Sequence, residues 1–227
     1  MSNRRRFLIS AGAITGASML SIGHARQKPD PDEGVTAPED LMKEHGVLNR
    51  CLLIYEEGLR RMRRREDIGP EVFNRTAGLI RKFVEEYHEQ NEEKYIFPHF
   101  ERTGHLADLV QILKTQHRAG REVTANILKL SDPDAFRSSE NQQNLAAACE
   151  SFIRMYRPHE AREDTVLFPA LRTILKPKAV QELGEKMEGE EKKILGDEGF
   201  ERSVDQVATI EKQLGIYELG QFTPRPE

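Results

Sequence analysis

Apolar residues recur three or four positions apart along most of the chain, the spacing that gathers side chains on one face of an α-helix. Four long stretches have this pattern, short loops separate them, and no stretch has the alternating β-branched residues of a strand. The pattern therefore predicts an all-α protein, an up-down-up-down four-helix bundle. Its helices are expected near residues 37–69, 70–104, 105–131 and 138–175, followed by a C-terminal helical extension at residues 176–227.

The start of the first helix and the buried face of the fourth can be predicted more closely. Thr36-Ala37-Pro38-Glu39 has the form of a capping box with an early proline, so the first helix is expected to begin there. The apolar stripe of the fourth helix includes Met155 and Val166, which we expect to face the core.

Six polar residues lie on the apolar stripes, at positions that face the core. They are His45, His88, Glu92, His117, His159 and Glu163. A single histidine on such a stripe is usually a core residue with a hydrogen-bond partner. Four histidines on four successive helices need a common cause.

The lengths of the helices agree with one shared layer for these six side chains. A helix rises by about 1.5 Å per residue, so four alternating helices can be aligned on their polar residues. In that alignment each helix ends beside the start of the next, and the short loops close. All six side chains are therefore expected at one level of the bundle.

An internal repeat contains four of the six residues. Residues 88–98 and 159–169 share the pattern H-E-x-x-E-[ED]-x-x-[IL]-F-P. In each copy the histidine and the second glutamate are four residues apart, one helical turn, and so face the same point. Imidazole and carboxylate together suit iron, manganese or zinc, and several converging ligands offset the cost of burying charge.

Composition and charge argue against other classes of function. Charged residues make up 32% of the 227 residues and the net charge is −4; the only charges in the first 25 residues are three arginines, so the remainder is more acidic still. An acidic surface gives nucleic acid no general attraction, and no nucleic-acid partner is expected. The one basic run, residues 60–65, falls at the predicted end of the first helix, where cations are favoured. Cys51 and Cys149 are too few for a disulfide scaffold and are expected to be buried free thiols, with a single disulfide as the alternative if the chain is exported.

The N-terminus has the character of an export signal. The letters RRRFL at residues 4–8 open an uncharged stretch that ends at residues 23–25, a small-x-small cleavage site. The stretch is too short and too weakly apolar for a membrane helix, and its paired arginines resemble a twin-arginine (Tat) signal. Residues 26–36 are expected to be a flexible leader. These features predict a periplasmic protein with no membrane attachment after signal cleavage; an uncleaved N-terminal anchor is the alternative.

The combined pattern resembles the hemerythrin family in its bacterial HHE cation-binding form. The resemblance covers about residues 37–175 and rests on Glu44-His45, on the two H-x-x-x-E…F-P segments and on Gln116-His117. It implies a hemerythrin-like bundle with two non-haem iron ions that binds O₂ or a related small oxidant, NO or peroxide.

The resemblance also implies a role for each of the six polar residues. Glu92 and Glu163 would bridge the two irons, together with an oxo or hydroxo group. One iron would be held by His45 and His88, and the other by His117 and His159. No residue is assigned a catalytic role, and protein partners are left open.

One position departs from the oxygen-carrying members, which have a second histidine one turn after the ligand of the third helix. Here that position is Arg121, which cannot ligate a metal. We expect it to pair with an acidic neighbour such as Glu44 or to point outward. The second iron would lack one imidazole, which favours sensing or peroxide chemistry over simple O₂ carriage. Besides a non-catalytic binding or sensing protein, a peroxidase-like or oxidase di-iron enzyme and an iron storage or delivery protein stay open.

Four further residues beside the candidate ligands carry expectations. Glu89 and Glu160 each follow a candidate histidine and are expected to face solvent or a neighbouring helix. Gly46 and Gly120 are expected to allow close helix packing, with room for a small gas as the alternative.

Overall fold

The computed structural model describes residues 36–224, and within this range the chain forms six helices and no strand. The predicted export signal and nearly all of the leader, residues 1–35, lie outside the described residues. The six helices are α1 (Ala37–Arg64), α2 (residues 70–103), α3 (Ala107–Leu130), α4 (residues 139–174), α5 (Pro177–Ile194) and α6 (Gly199–Leu214). Short 3₁₀ turns lie at Ala135–Arg137 and Leu219–Phe222. The all-α fold and the helical bundle predicted from the periodicity are confirmed.

Helix α1 begins and ends where local chemistry favours it. The Glu39 carboxylate accepts hydrogen bonds from the backbone N–H of Thr36, at 3.0 Å, and from its hydroxyl, at 2.9 Å. These bonds supply an acceptor for polar groups at the start of the helix, where backbone N–H groups have no partner within the helix. Arg65 follows the last turn in the left-handed conformation, with φ of 57°. The basic run therefore lies at the C-terminal end of the helix, where cations interact well with the helix dipole.

Both copies of the internal repeat contain a π-helical turn. Helix α2 consists of Pro70–Leu79, a π-helical segment Ile80–His88, Glu89–Asn91, a π-helical segment Glu92–Ile96 and Phe97–Thr103. Helix α4 consists of Ser139–Arg162, a π-helical segment Glu163–Leu167 and Phe168–Ile174. In each copy the phenylalanine before the proline donates its N–H to the glutamate carbonyl five residues earlier. The proline that follows has no N–H to restore the usual ladder, so the widened turn stays at the candidate ligands.

The π turn of α4 corrects one predicted core position. Val166 was expected to face the core, but it is 37% exposed, whereas Leu167 is fully buried. The widened turn takes one more residue than an α-turn, so the buried face after Glu163 moves on by one position. Met155 is partly buried and packs against the core, as expected, beside the buried Tyr156.

The apolar core is divided by the layer of polar residues. One cluster contains Tyr55, Phe73 and Phe152, towards one end of the bundle. The other contains Leu41 and Phe97, towards the opposite end. On each of the first four helices the candidate ligands fall between residues of the two clusters, so the layer is closed on both sides by apolar side chains. Both cysteines lie in the first cluster as buried free thiols, as predicted.

The C-terminal helices pack against the first two helices of the bundle. The Nε–H of Arg50 on α1 is shared between the two carboxylate oxygens of Glu211 on α6, at 3.0 and 3.1 Å. Lys94 and Tyr95 on α2 both donate to Glu190 on α5, at 3.1 and 3.0 Å. Among residues 36–224 no helix is long and apolar enough to cross a membrane.

Candidate metal centre

The six polar residues predicted to share a layer lie together in the interior of the bundle. None of the six is more than 4% exposed. Their ligating atoms form two groups, within each of which all atoms lie within 4.8 Å of one another. Position A is defined here by His45, His88 and Glu92, and position B by His117, His159 and Glu163.

Each glutamate lies between a histidine of position A and a histidine of position B. The Glu163 carboxylate is 3.3 Å from Nε2 of His45 and 3.1 Å from Nε2 of His159. The Glu92 carboxylate is 3.7 Å from Nε2 of His88 and 3.5 Å from Nε2 of His117. The two positions are therefore adjacent, and each carboxylate faces both.

The surroundings of the four carboxylate oxygens of these glutamates indicate whether a metal ion fits between them. Both side chains are fully buried, and among the described residues neither has a hydrogen-bond partner for any of its oxygens. Burial and the nearby charge of Glu163 raise the pKa of Glu92. Buried carboxylates without partners are costly, and bound cations relieve that cost. Four imidazoles and two such carboxylates form a donor set that fits iron, manganese or zinc.

Every candidate histidine has an outward hydrogen bond that orients its ring. The Nδ1 partners are Asp164 for His45 at 2.7 Å, Glu44 for His88 at 2.6 Å, Glu93 for His117 at 3.0 Å and Gln116 for His159 at 2.9 Å. An acceptor at Nδ1 favours the tautomer with its proton there, in which the Nε2 lone pair can bind a metal ion. The sequence prediction missed these four acceptors. Each of the four stands next to a candidate ligand in the sequence, and this could have indicated them. Glu44 and Gln116 directly precede candidate histidines, and Glu93 and Asp164 directly follow the glutamates of the repeat.

Two phenylalanines of the repeat cover the histidine rings. Phe97 stacks on His117, with ring centroids 5.5 Å apart, and Phe168 stacks on His45, with centroids 5.7 Å apart. Each is the phenylalanine of an F-P dipeptide and packs on a histidine from a different helix. The conspicuous phenylalanine of the repeat thus helps to hold the imidazole of another helix in place.

Arg121 pairs with acidic residues of α2, and not with Glu44 as suggested from the sequence. Its guanidinium lies 2.8 Å from Glu89 and 2.7 Å from Glu93. Glu44 is instead engaged by His88 and by the hydroxyl of Tyr87, at 2.7 Å. The reason is position: α3 presents Arg121 to the face of α2 that carries the two glutamates. Glu89, Glu93 and His117 could also gather round a cation, but the Arg121 guanidinium already pairs with both carboxylates.

The residues that follow the repeat histidines face neighbouring helices. Glu89 accepts a hydrogen bond from the Tyr156 hydroxyl at 2.6 Å, and Glu160 accepts one from the Asn49 amide. Tyr156 also explains Gly120, because a Cβ at that position would overlap the tyrosine hydroxyl. Close packing is therefore the structural role of this glycine. The same expectation is wrong for Gly46, where a Cβ would meet nothing within 4 Å.

Comparison with known protein families matches the hemerythrin HHE cation-binding domain over residues 36–171, and again over residues 108–213. The first match spans the four helices that carry the candidate ligands. The two matches overlap from α3 onward, so the second also takes in the C-terminal helices.

Similar proteins occur in mycobacteria. The chain is 46% identical to an uncharacterized protein of Mycobacterium bovis and to uncharacterized proteins of two Mycobacterium tuberculosis strains, over 97% of this chain and 91% of each relative. Their descriptions name no activity. No solved structure matches the chain at a significant level.

Proposed function

This chain belongs to the hemerythrin HHE cation-binding family, and on that premise we propose that it is a non-haem di-iron protein that binds or senses O₂, NO or peroxide. The observation that carries the proposal is the pair of buried glutamates without partners, Glu92 and Glu163, each facing imidazole nitrogens of both positions. We propose the six layer residues as the ligands of two irons, with the two glutamates as bridges.

Two bound irons would supply one-electron redox chemistry and coordination positions that a small diatomic molecule or peroxide can take. The chain's own residues do the rest. The apolar clusters on both sides of the layer exclude bulk water, which strengthens every charge interaction inside it. The outward acceptors hold the imidazoles in one tautomer, so the nitrogen lone pairs stay aimed at the positions.

A peroxide-consuming enzyme is the second candidate, and Arg121 is the observation that favours it. Oxygen carriers of the family have a histidine at this position, whereas here the side chain is committed to Glu89 and Glu93. Position B then lacks one imidazole, which leaves more room for an exogenous ligand. A sensor would take up peroxide once per site, whereas an enzyme would consume it repeatedly.

The experiment that tests the proposed function is absorption spectroscopy of protein loaded with ferrous iron under anaerobic conditions. O₂, NO and peroxide are added separately, and we expect new near-ultraviolet or visible bands with at least one of them. Protein loaded with zinc is the matched control, because zinc has no redox chemistry, and its spectrum should not change. An iron-loaded protein whose spectrum is unchanged by all three would contradict the proposal.

We also propose that the chain is exported to the periplasm by a twin-arginine route. The support is the paired arginines at residues 4–5, followed by a weakly apolar stretch and a small-x-small site. A route that carries folded proteins would let the metal be bound before export.

A further inference from the structure

The centre has an approximate twofold symmetry that relates α1 and α2 to α3 and α4. Glu44 lies just before a candidate histidine of α1 and accepts a hydrogen bond from His88. Gln116 occupies the matching place on α3 and accepts one from His159. The acidic residues that follow the repeat glutamates correspond in the same way, because Glu93 accepts from His117 and Asp164 accepts from His45. The two stacked phenylalanines obey the same relation.

Among the side chains that break this symmetry, two behind position B differ in charge from their counterparts behind position A. The first is Gln116, a neutral amide where the other half has the carboxylate of Glu44. The second is Arg121, four residues after its histidine, where the other half has the uncharged Asn49. The guanidinium of Arg121 lies 2.7 Å from Glu93, the carboxylate behind His117.

The outer hydrogen-bond partners of the histidines therefore differ between the two metal positions. Both histidines of position A are backed by carboxylates, Asp164 and Glu44. Among residues 36–224 no lysine or arginine lies within ion-pair distance of either. The histidines of position B are backed by the carboxylate of Glu93, which pairs with Arg121, and by the amide of Gln116. The same guanidinium also pairs with Glu89, at 2.8 Å. A carboxylate behind an imidazole makes it a more basic ligand, and a nearby cation opposes metal binding.

We propose that the two metal positions are unequal: position A holds its ion tightly, position B is filled last and emptied first, and Gln116 and Arg121 set the difference. The inference rests on the proposed di-iron function. It assigns positioning and affinity-determining roles to two residues that are not themselves candidate ligands. It also identifies the position from which an ion is exchanged.

Anaerobic titration of metal-free protein with ferrous iron against a chromogenic chelator tests the inequality. The wild-type chain should bind two ions in steps whose dissociation constants differ at least about tenfold, the lower end of the effect of such outer partners. Gln116→Glu should tighten the weaker step about tenfold and leave the stronger one unchanged. Glu44→Gln, the reverse change at the symmetry-related position, should weaken only the stronger step.

Arg121 is tested by substitution with the residue of the other half. Arg121→Asn should lower the dissociation constant of the weaker step. Arg121→Lys keeps the positive charge and should leave the difference between the two dissociation constants unchanged. Circular dichroism and thermal unfolding of each metal-free variant control for folding, so a shift in one step cannot be ascribed to a damaged bundle.

The outcomes separate this inference from the proposed function. Two ions bound with equal affinity by the wild-type chain would overturn the inequality alone. The inequality would also be overturned if Gln116→Glu and Glu44→Gln shifted the same step. Fewer than two ions at saturation would overturn both the di-iron proposal and the inequality that rests on it.

Discussion

The carboxylate of Glu163 lies 3.3 Å from Nε2 of His45, although the two residues come from the last and the first helix of the bundle. Both side chains are buried, and they connect two helices that are far apart in the sequence. They belong to a layer of polar residues with an apolar cluster on each side. Such a layer is costly unless something compensates it. The stability of the bundle and its chemistry should therefore depend on each other.

Gly120 should be intolerant of a side chain for a purely structural reason. Gly120→Ala places a Cβ on the Tyr156 hydroxyl and should lower the free energy of unfolding by about 1–3 kcal/mol. Gly46→Ala is the matched control, because a Cβ at that position would meet nothing within 4 Å and alanine favours the helix. The control should gain about 0.5–1 kcal/mol. Denaturant unfolding of the metal-free proteins measures both, and equal effects would refute the packing argument.

The ion pair between Arg50 and Glu211 should stabilise the packing of α6 against α1. Glu211→Ala removes a carboxylate that is largely buried and leaves the guanidinium without its partner, so stability should fall by about 1–3 kcal/mol. Arg63→Ala breaks an exposed pair with Glu150 and should cost less than about 1 kcal/mol. Thermal or denaturant unfolding distinguishes the two variants. If Arg63→Ala lost as much stability as Glu211→Ala, burial of the ion pair would not determine its contribution.

The capping carboxylate of Glu39 should contribute a pH-dependent part of the stability. A backbone hydrogen bond from Thr36 lowers the pKa of Glu39 from its usual value of 4.5. A carboxyl whose pKa falls on folding stabilises the protein above its unfolded pKa, and this stabilisation is lost as pH falls through the folded pKa. The melting temperature of Glu39→Gln should therefore lie below that of wild type at pH 7, and the gap should narrow below pH 4.5. A gap that is constant over this range would contradict the assignment.

Export should depend on the paired arginines. A double substitution, Arg4→Lys with Arg5→Lys, keeps the charge but removes the pair that the twin-arginine route recognises, so the protein should stay in the cytoplasm. Cell fractionation with immunoblotting measures the distribution. Arg6→Lys is the control and should leave export normal. A normal periplasmic yield of the double variant would refute the export proposal.

Much of the architecture was predictable because it depends on local periodicity. The apolar spacing located the helices, and the repeat with its H-x-x-x-E spacing identified residues that meet in one layer. Val166 was predicted wrongly because a π turn shifts the buried face, and the i, i+3 and i+4 rule assumes regular α-turns.

The outer partners of the layer were not predictable in the same way. Whether Arg121 meets Glu89 or Glu44 depends on how α3 is rotated against α2 and α1, which no spacing within one helix determines. The acceptors Glu93 and Asp164 likewise contact histidines of other helices. Such contacts become visible only when the packed helices are seen together.

Iron content per chain is the most direct test of the central claim. Protein reconstituted with ferrous iron and freed of unbound metal should contain about two irons by elemental analysis. His88→Ala and Glu163→Ala should each fall well below that, because ligands of one site act together. His105→Ala, a change at an exposed histidine outside the layer, should keep the wild-type content. Full iron content in either layer variant, or loss of iron in His105→Ala, would contradict the assignment of the layer as a di-iron site.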